Sequence, residues 1–169
     1  MRLNVDHATR VARVNEVLDN LSLTKHKDTL VGDVDKRGLS GGQRKRLSIA
    51  LELLINPSVL FCDEPTSGLD SKMAEDVVEI LKRLAEEQGR TIICTIHQPS
   101  SRIFKTFDSL VLLKEGRVVY ANAVPLTQGY FSAAPINKPP PSYENPVDFY
   151  MRELQVRRAE RSEQKPSAQ

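Results

Sequence analysis

The sequence predicts an α/β fold built on a mainly parallel sheet. Two short apolar runs carry that prediction, Ser58 to Cys62 (SVLFC) and the β-branched Thr91 to Ile96 (TIICTI). Between them, Ala74, Val77, Val78, Leu81, Leu84 and Ala85 recur at helical spacing from Ser71 to Gln88. Strand, helix, strand in that order is the signature of a crossover between parallel strands. Two further runs, Ser109 to Lys114 and Arg117 to Ala121, flank Glu115-Gly116 and predict a hairpin.

The remaining elements follow in order. Thr9 to Leu21 carries Val11, Val14, Val17, Leu18 and Leu21 at helical spacing, and polar residues from Lys25 to Asp28 interrupt it. Leu39 to Ile55 predicts a second helix. Ser40 with Gln43 three residues on has the form of a capping box. Leu47, Ala50, Leu51 and Leu54 are expected to line its buried face, and Asn56-Pro57 to end it, because proline disfavours helical backbone in the residue before it. The SVLFC run suits a strand covered on both faces. Gly89 is the expected stop of the helix from Ser71. Pro135 to Pro146 holds five of the ten prolines and reads as a linker. A short helix is expected over Pro146 to Arg161, and disorder over the last residues, SEQKPSAQ.

Composition narrows the function classes. The 169 residues are 40% hydrophobic and 27% charged, as in an ordinary globular domain. A net charge of +2 is too even to argue for nucleic acid. No apolar run approaches the roughly 18–20 residues of a membrane span, and Met1-Arg2-Leu3-Asn4 opens no secretory signal. Cys62 and Cys94 lie inside apolar runs and outside any C-x-x-C pair, so they read as buried thiols of a reducing compartment. No internal repeat is visible.

Four features carry chemistry. Ser40-Gly41-Gly42-Gln43 places backbone N–H groups and a hydroxyl at a helix start, where the dipole favours anions such as phosphate; an ordinary cap is the alternative. Asp63-Glu64 at the C-terminal end of a strand suits Mg²⁺ and the polarisation of a water, or is a solvated acidic turn. Ser67-Gly68-Leu69-Asp70 is a tight turn with Asp70 as helix cap. His97 ends the next strand, at the same sheet edge as the two acids if the strands are parallel neighbours. Lys36, Arg37, Arg44, Lys45 and Arg46 cluster without an acid, and Arg44, Lys45 and Arg46 form a solvated helix face or a docking patch near a membrane domain.

Taken together and in order, the run LSGGQRKRLSIALELLINPSVLFCDEPTSGLDS resembles the second half of an ATP-binding cassette (ABC) ATPase domain, with a P-loop NTPase-like core. RKRLSIALELL, HQPS and NPVDFY resemble the G subfamily, the white-type half-transporters. The resemblance implies ATP and Mg²⁺ as cofactors. It implies that Ser40, Gly41, Gly42 and Gln43 are the signature contacting an ATP held by a partner cassette. It further implies Asp63 as the Mg²⁺ residue acting through water, Glu64 as general base and His97 as the switch histidine. Ser67, Gly68, Leu69 and Asp70 would form the D-loop. The implied partners are a second cassette and a transporter membrane domain, not nucleic acid, at the cytoplasmic face of a membrane. The implied activity is ATP hydrolysis coupled to transport of a lipophilic substrate.

None of the eight glycines is followed by lysine, so the sequence contains no G-x-x-x-x-G-K phosphate loop. The expected organisation is therefore an incomplete cassette. Residues 1–134 form its C-terminal part, with the helical signature subdomain to about residue 56 and the core with its C-terminal hairpin from about 57. Residues 135–155 hold the Pro-rich segment and the NPVDF helix start, and 156–169 a charged, disordered tail. Met1 then reads as an internal methionine. The isolated chain is expected to be inactive, and poorly soluble because its sheet has an unpaired edge. A non-catalytic signature donor or decoy, and a soluble ABC ATPase, are the alternative functions.

Overall fold

A computed structural model describes residues 6–32, 38–133, 138–141 and 144–153. Helix α1 (His7–Asn20) starts at Asp6, whose carboxylate accepts from the Thr9 amide at 2.7 Å and the Thr9 hydroxyl at 3.0 Å. A 3-10 turn, Thr24–His26, follows. Helix α2 (Gly41–Leu53) begins with the expected capping box and leads into strand β1 (Val59–Asp63). Helix α3 (Ser71–Gln88) starts at Asp70 and ends at Gly89, whose φ of 61° is the left-handed cap that glycine adopts without a Cβ penalty. Strand β2 (Thr91–Thr95) returns parallel to β1, register Val59 with Thr91 through Asp63 with Thr95.

These elements belong to one compact unit, Met1–His97. Its core joins Val17 and Leu21 of α1, Ile49, Ala50 and Leu53 of α2, Leu60 and Cys62 of β1, and Val77, Ile80, Leu81 and Leu84 of α3. The helical region and the β1 strand thus share a core. Two expectations are corrected here. The buried face of α2 is Ile49, Ala50 and Leu53; Leu51, placed on that face from the sequence, is 60% exposed. The SVLFC strand is covered on one face only: Leu60 and Cys62 point into the core, whereas Val59 and Phe61 are exposed. A continuous apolar run does not say whether its second covering layer lies in the same stretch of chain.

Two arginines clamp the turn between α2 and β1. Arg13 donates to Leu53 O (2.6 Å) and Asn56 Oδ1 (3.1 Å), and Arg90 to Asn56 Oδ1 (2.7 Å) and to Pro57 O. Asn56 itself sits at φ 54°.

The second unit is Gln98–Gln169. It holds α4 (Ser101–Thr106), the antiparallel pair β3 (Ser109–Lys114) and β4 (Arg117–Ala123), α5 (Thr127–Ser132), and a helix over 146–153. Glu115 and Gly116, at φ 52° and 72°, make the two-residue turn that matches the twist of the strands. Phe104, Leu112, Tyr120, Val124, Phe131, Val147, Phe149 and Tyr150 form its core, with Phe131 and Tyr150 stacked at 4.1 Å. Asn145 bonds Pro99 O at 2.8 Å, so NPVDF is fixed to the segment that follows His97. The sequence analysis did not anticipate α4 or α5. The tail, and the end of the helix expected to Arg161, lie outside the described residues.

The face assignment predicts that Leu53→Ala costs about 2–5 kcal/mol by leaving a cavity, whereas Leu51→Ala stays within about 0.5 kcal/mol. Urea unfolding of both variants checks it. At Asp6, the hydrogen bonds from Thr9 hold the carboxyl below the ordinary range. A depressed folded-state value means that the cap is complete above the unfolded value and is lost as pH falls through the folded one. Asp6→Asn is expected to keep the Thr9 amide capped and to remove this pH dependence, read from the Thr9 amide shift.

Candidate functional site

Parallel pairing puts the ends of β1 and β2 side by side, and the acids lie there. The Thr95 hydroxyl donates to Asp63 Oδ1 and accepts from the Glu64 amide at 2.9 Å; the same amide donates to Thr95 O at 3.1 Å. Glu64 is held at φ 43°, a left-handed conformation that costs a residue with a Cβ about 1–2 kcal/mol. Its bonds to Thr95 offset that cost. Both carboxylate residues are exposed. His97 is exposed two residues beyond Thr95, so the structure places Asp63, Glu64 and His97 beyond the same edge of the sheet, as the strand order predicts.

Ser40, Gly41, Gly42 and Gln43 sit at the start of α2. Ser40 Oγ accepts from the Gln43 amide at 3.3 Å, and Gln43 Oε1 accepts from the Ser40 amide at 2.8 Å. Gly41 and Gly42 form the first turn, and at Gly42 the lack of a side chain has a packing reason. A Cβ on Gly41 would touch Leu69 Cδ2 at 3.4 Å, and one on Gly42 would stand 3.2 Å from Met73 Sδ. The Ser40–Gln43 turn therefore lies directly against the Ser67–Asp70 turn and the start of α3. That second turn is tight: Ser67 N bonds Glu64 O at 3.2 Å, Gly68 is at φ 73°, and Asp70 Oδ1 caps Met73 N at 2.9 Å.

Among the described residues no hydrogen bond or ion pair joins Ser40–Gln43 to Asp63, Glu64 or His97. The structure thus brings together two groups, Asp63 and Glu64 with His97 and the Ser40–Gln43 turn with the Ser67–Asp70 turn. No group of three metal-ligating side chains occurs among the described residues. This donor set fits Mg²⁺ held by one carboxylate plus waters and phosphate, and does not fit an all-protein cage.

Sequence reasoning missed three residues that organise the site. Thr95 ties Asp63 to Glu64; the only signal was its place at the end of the second strand. His26 Nε2 lies 2.9 Å from Gln43 Nε2. Since Gln43 Oε1 is taken by the Ser40 amide, the Gln43 NH₂ faces the ring and His26 Nε2 accepts. Arg46, read as part of a solvated face or a docking patch, bonds Leu21 O at 3.2 Å and fastens α2 to the end of α1. Lys36 and Arg37 lie outside the described residues. The two thiols interact: the Cys94 hydrogen bond pulls the Cys62 thiol down from its usual value, while the Cys94 thiol is pushed up by that bond and by burial.

Removing the cap by Ser40→Ala is expected to cost about 1 kcal/mol, with Ser40→Asn recovering most of it. Urea midpoints of the three chains check this.

Two transporter family models match the chain: one described as ABC transporter over residues 1–67, the other as ABC-2 type transporter over residues 97–167. Protein white of Drosophila melanogaster is 45% identical over 157 residues, which is 92% of this chain and 22% of that protein. The broad substrate specificity ATP-binding cassette transporter ABCG2 of Bos taurus is 50% identical over 139 residues, 82% of this chain and 21% of that protein. ABC transporter G family member 25 of Arabidopsis thaliana is 44% identical over 142 residues, 84% and 21% of the two chains. The chain spans about a fifth of the length of these curated relatives. Among solved structures, cbiO1 from Clostridium perfringens, part of an ABC transporter complex, aligns with a TM-score of 0.63 at 27% identity, covering 78% of this chain and 49% of that one. A dimeric ATP-binding cassette in a post-hydrolysis state with ADP and Pi aligns with a TM-score of 0.57 at 30% identity, covering 73% and 51%. The fold, the ordered motifs and these relatives agree that the chain belongs to the ABC transporter family, in its G subfamily.

Proposed function

We propose that this chain is the signature-and-hydrolysis portion of a cassette that couples ATP hydrolysis to transport of a lipophilic substrate. One observation carries the reading. The capped Ser40–Gln43 turn packs on the D-loop turn through Gly41 and Gly42, while Asp63, Glu64 and His97 stand beyond the ends of the paired strands.

Mg·ATP, when bound, supplies the γ-phosphoryl group and a divalent charge. The Ser40 hydroxyl and the Gly41 and Gly42 amides donate to phosphate oxygens at a helix start whose dipole favours them. Gln43, fixed by Ser40 and His26, orders that turn. Asp63 would hold Mg²⁺, whose bound charge would be the metal's contribution, and Glu64 would accept the proton of the attacking water. His97 bonds the γ-phosphate and stabilises charge as it develops. Asp70 and its turn face the partner cassette.

The 169 residues contain no G-x-x-x-x-G-K, so a partner or an added segment must supply the phosphate cradle. A helix start contributes about 0.3–1 kcal/mol per charge, and millimolar binding needs about 4 kcal/mol. Among the described residues no helix is long and apolar enough to cross a membrane; attachment to a membrane domain at the cytoplasmic face is part of the proposal. A second reading, a non-catalytic partner that donates its signature to a complete half-transporter, is favoured by the exposure of Ser40.

Joined to a phosphate-loop segment of a G-type cassette, the chain is expected to hydrolyse ATP, and Glu64→Gln to lower the rate about 10²-fold or more. A phosphate-release assay measures this; undiminished turnover in Glu64→Gln overturns the base assignment. ATP-dependent pull-down of a full half-transporter that Ser40→Arg abolishes, with no turnover, supports the second reading instead.

A further inference from the structure

Cys62 and Cys94 are the two cysteines of the chain, and both are free thiols. They are direct Cα partners across the β1–β2 ladder. Both side chains lie on the face that carries the core of the first unit, Cys62 within that core and Cys94 packed against it. Adjacent strands lie about 4.7–4.9 Å apart, inside the window of about 4.4–6.8 Å between Cα atoms that a disulfide spans. The strands need no change of register to be joined. Cys62 is buried, but Cys94 is partly open to solvent, which gives a small oxidant a way in.

We propose that Cys62 and Cys94 form a reversible oxidation site, converted by hydroperoxides to a disulfide that staples β1 to β2 beside the acidic edge. One thiol takes an oxygen atom from hydrogen peroxide, giving a sulfenic acid and one water. The neighbouring thiol's sulfur then displaces the hydroxyl, forming the S–S bond and releasing a second water. In sum, two thiols and one peroxide give one disulfide and two waters, and a dithiol reductant reverses the bond. In a reducing compartment such a bond is transient and serves sensing rather than architecture. Its placement gives it an effect. The next pair along the ladder is Asp63 with Thr95, and the Thr95 hydroxyl links Asp63 to the Glu64 amide. Oxidation therefore locks the ends of both strands together and closes a covalent loop around the D-loop turn and α3. The inference rests on the ladder pairing of the two cysteines and their shared core face, not on the proposed transport function.

The test uses the purified full chain, treated with hydrogen peroxide, alkylated and digested with trypsin. The expected product is peptide Leu47–Lys72 linked to Thr91–Arg102, lighter by two hydrogens than their sum, with both thiols lost in step and restored by dithiothreitol. The oxidised chain is expected to unfold at a higher urea concentration than the reduced one. Cys94→Ser and, separately, Cys62→Ala must each abolish the linked peptide. Should one variant fail to fold, the peptide map and the urea shift of the unsubstituted chain decide the matter. Disulfide-linked dimers, over-oxidation of Cys94 alone, or native thiols that resist peroxide while the urea-unfolded chain oxidises would each overturn the proposal.

Discussion

Five residues of β1 paired in parallel with five of β2 set the positions of Asp63, Glu64, Thr95 and His97. The pairing aligns Asp63 with Thr95, and Thr95 is the residue that can reach both Asp63 and the amide of Glu64. Without the ladder, Glu64 would lose the two bonds that hold its left-handed backbone. His97 stands beyond the same edge because its strand runs the same way. The crossover helix α3 makes that direction possible, since antiparallel strands could be joined by a short turn and parallel ones cannot.

The second constraint is the contact between two helix starts. α2 and α3 each begin with a side-chain cap, Ser40 and Asp70, and the two turns meet through Gly41, Gly42, Leu69 and Met73. The glycines thus serve two ends at once. They leave amides uncovered at the start of α2, and they let Met73 approach. The second shows in the 3.2 Å to Met73 Sδ that a Cβ on Gly42 would find.

Local signals in the sequence reached far, and non-local ones did not. The Ser40–Gln43 box, the stop at Gly89 and the Glu115-Gly116 turn were legible because each depends on neighbours within a few residues. The edge position of Asp63, Glu64 and His97 was legible because strand order implies it. The buried face of α2 was not: Leu47, Ile49, Ala50, Leu51, Leu53, Leu54 and Ile55 surround that helix with apolar groups, so periodicity has no preferred side. Helices α4 and α5, six residues each, are too short to show a period. Thr95, His26 and Arg46 act across long stretches of chain, on partners that only the folded backbone brings near. The outer faces matter as well. Phe61 is 73% exposed beside Val59 and Ile93, and Val111, Leu113 and Val118 are bare on the hairpin; such surfaces and open strand edges favour association.

Asn56 gives one side-chain oxygen to two arginines, from α1 and from the start of β2, while the carbonyls of Leu53 and Pro57 on either side take their other bonds. The passage from α2 into β1 is consequently a braced corner and not a slack hinge. A push on the glycine turn at one end of the thirteen-residue helix travels along a stiff rod to that corner and onward into the strand that ends at Asp63. Stiffness there decides how faithfully a displacement of the Ser40–Gln43 turn is reproduced at Asp63.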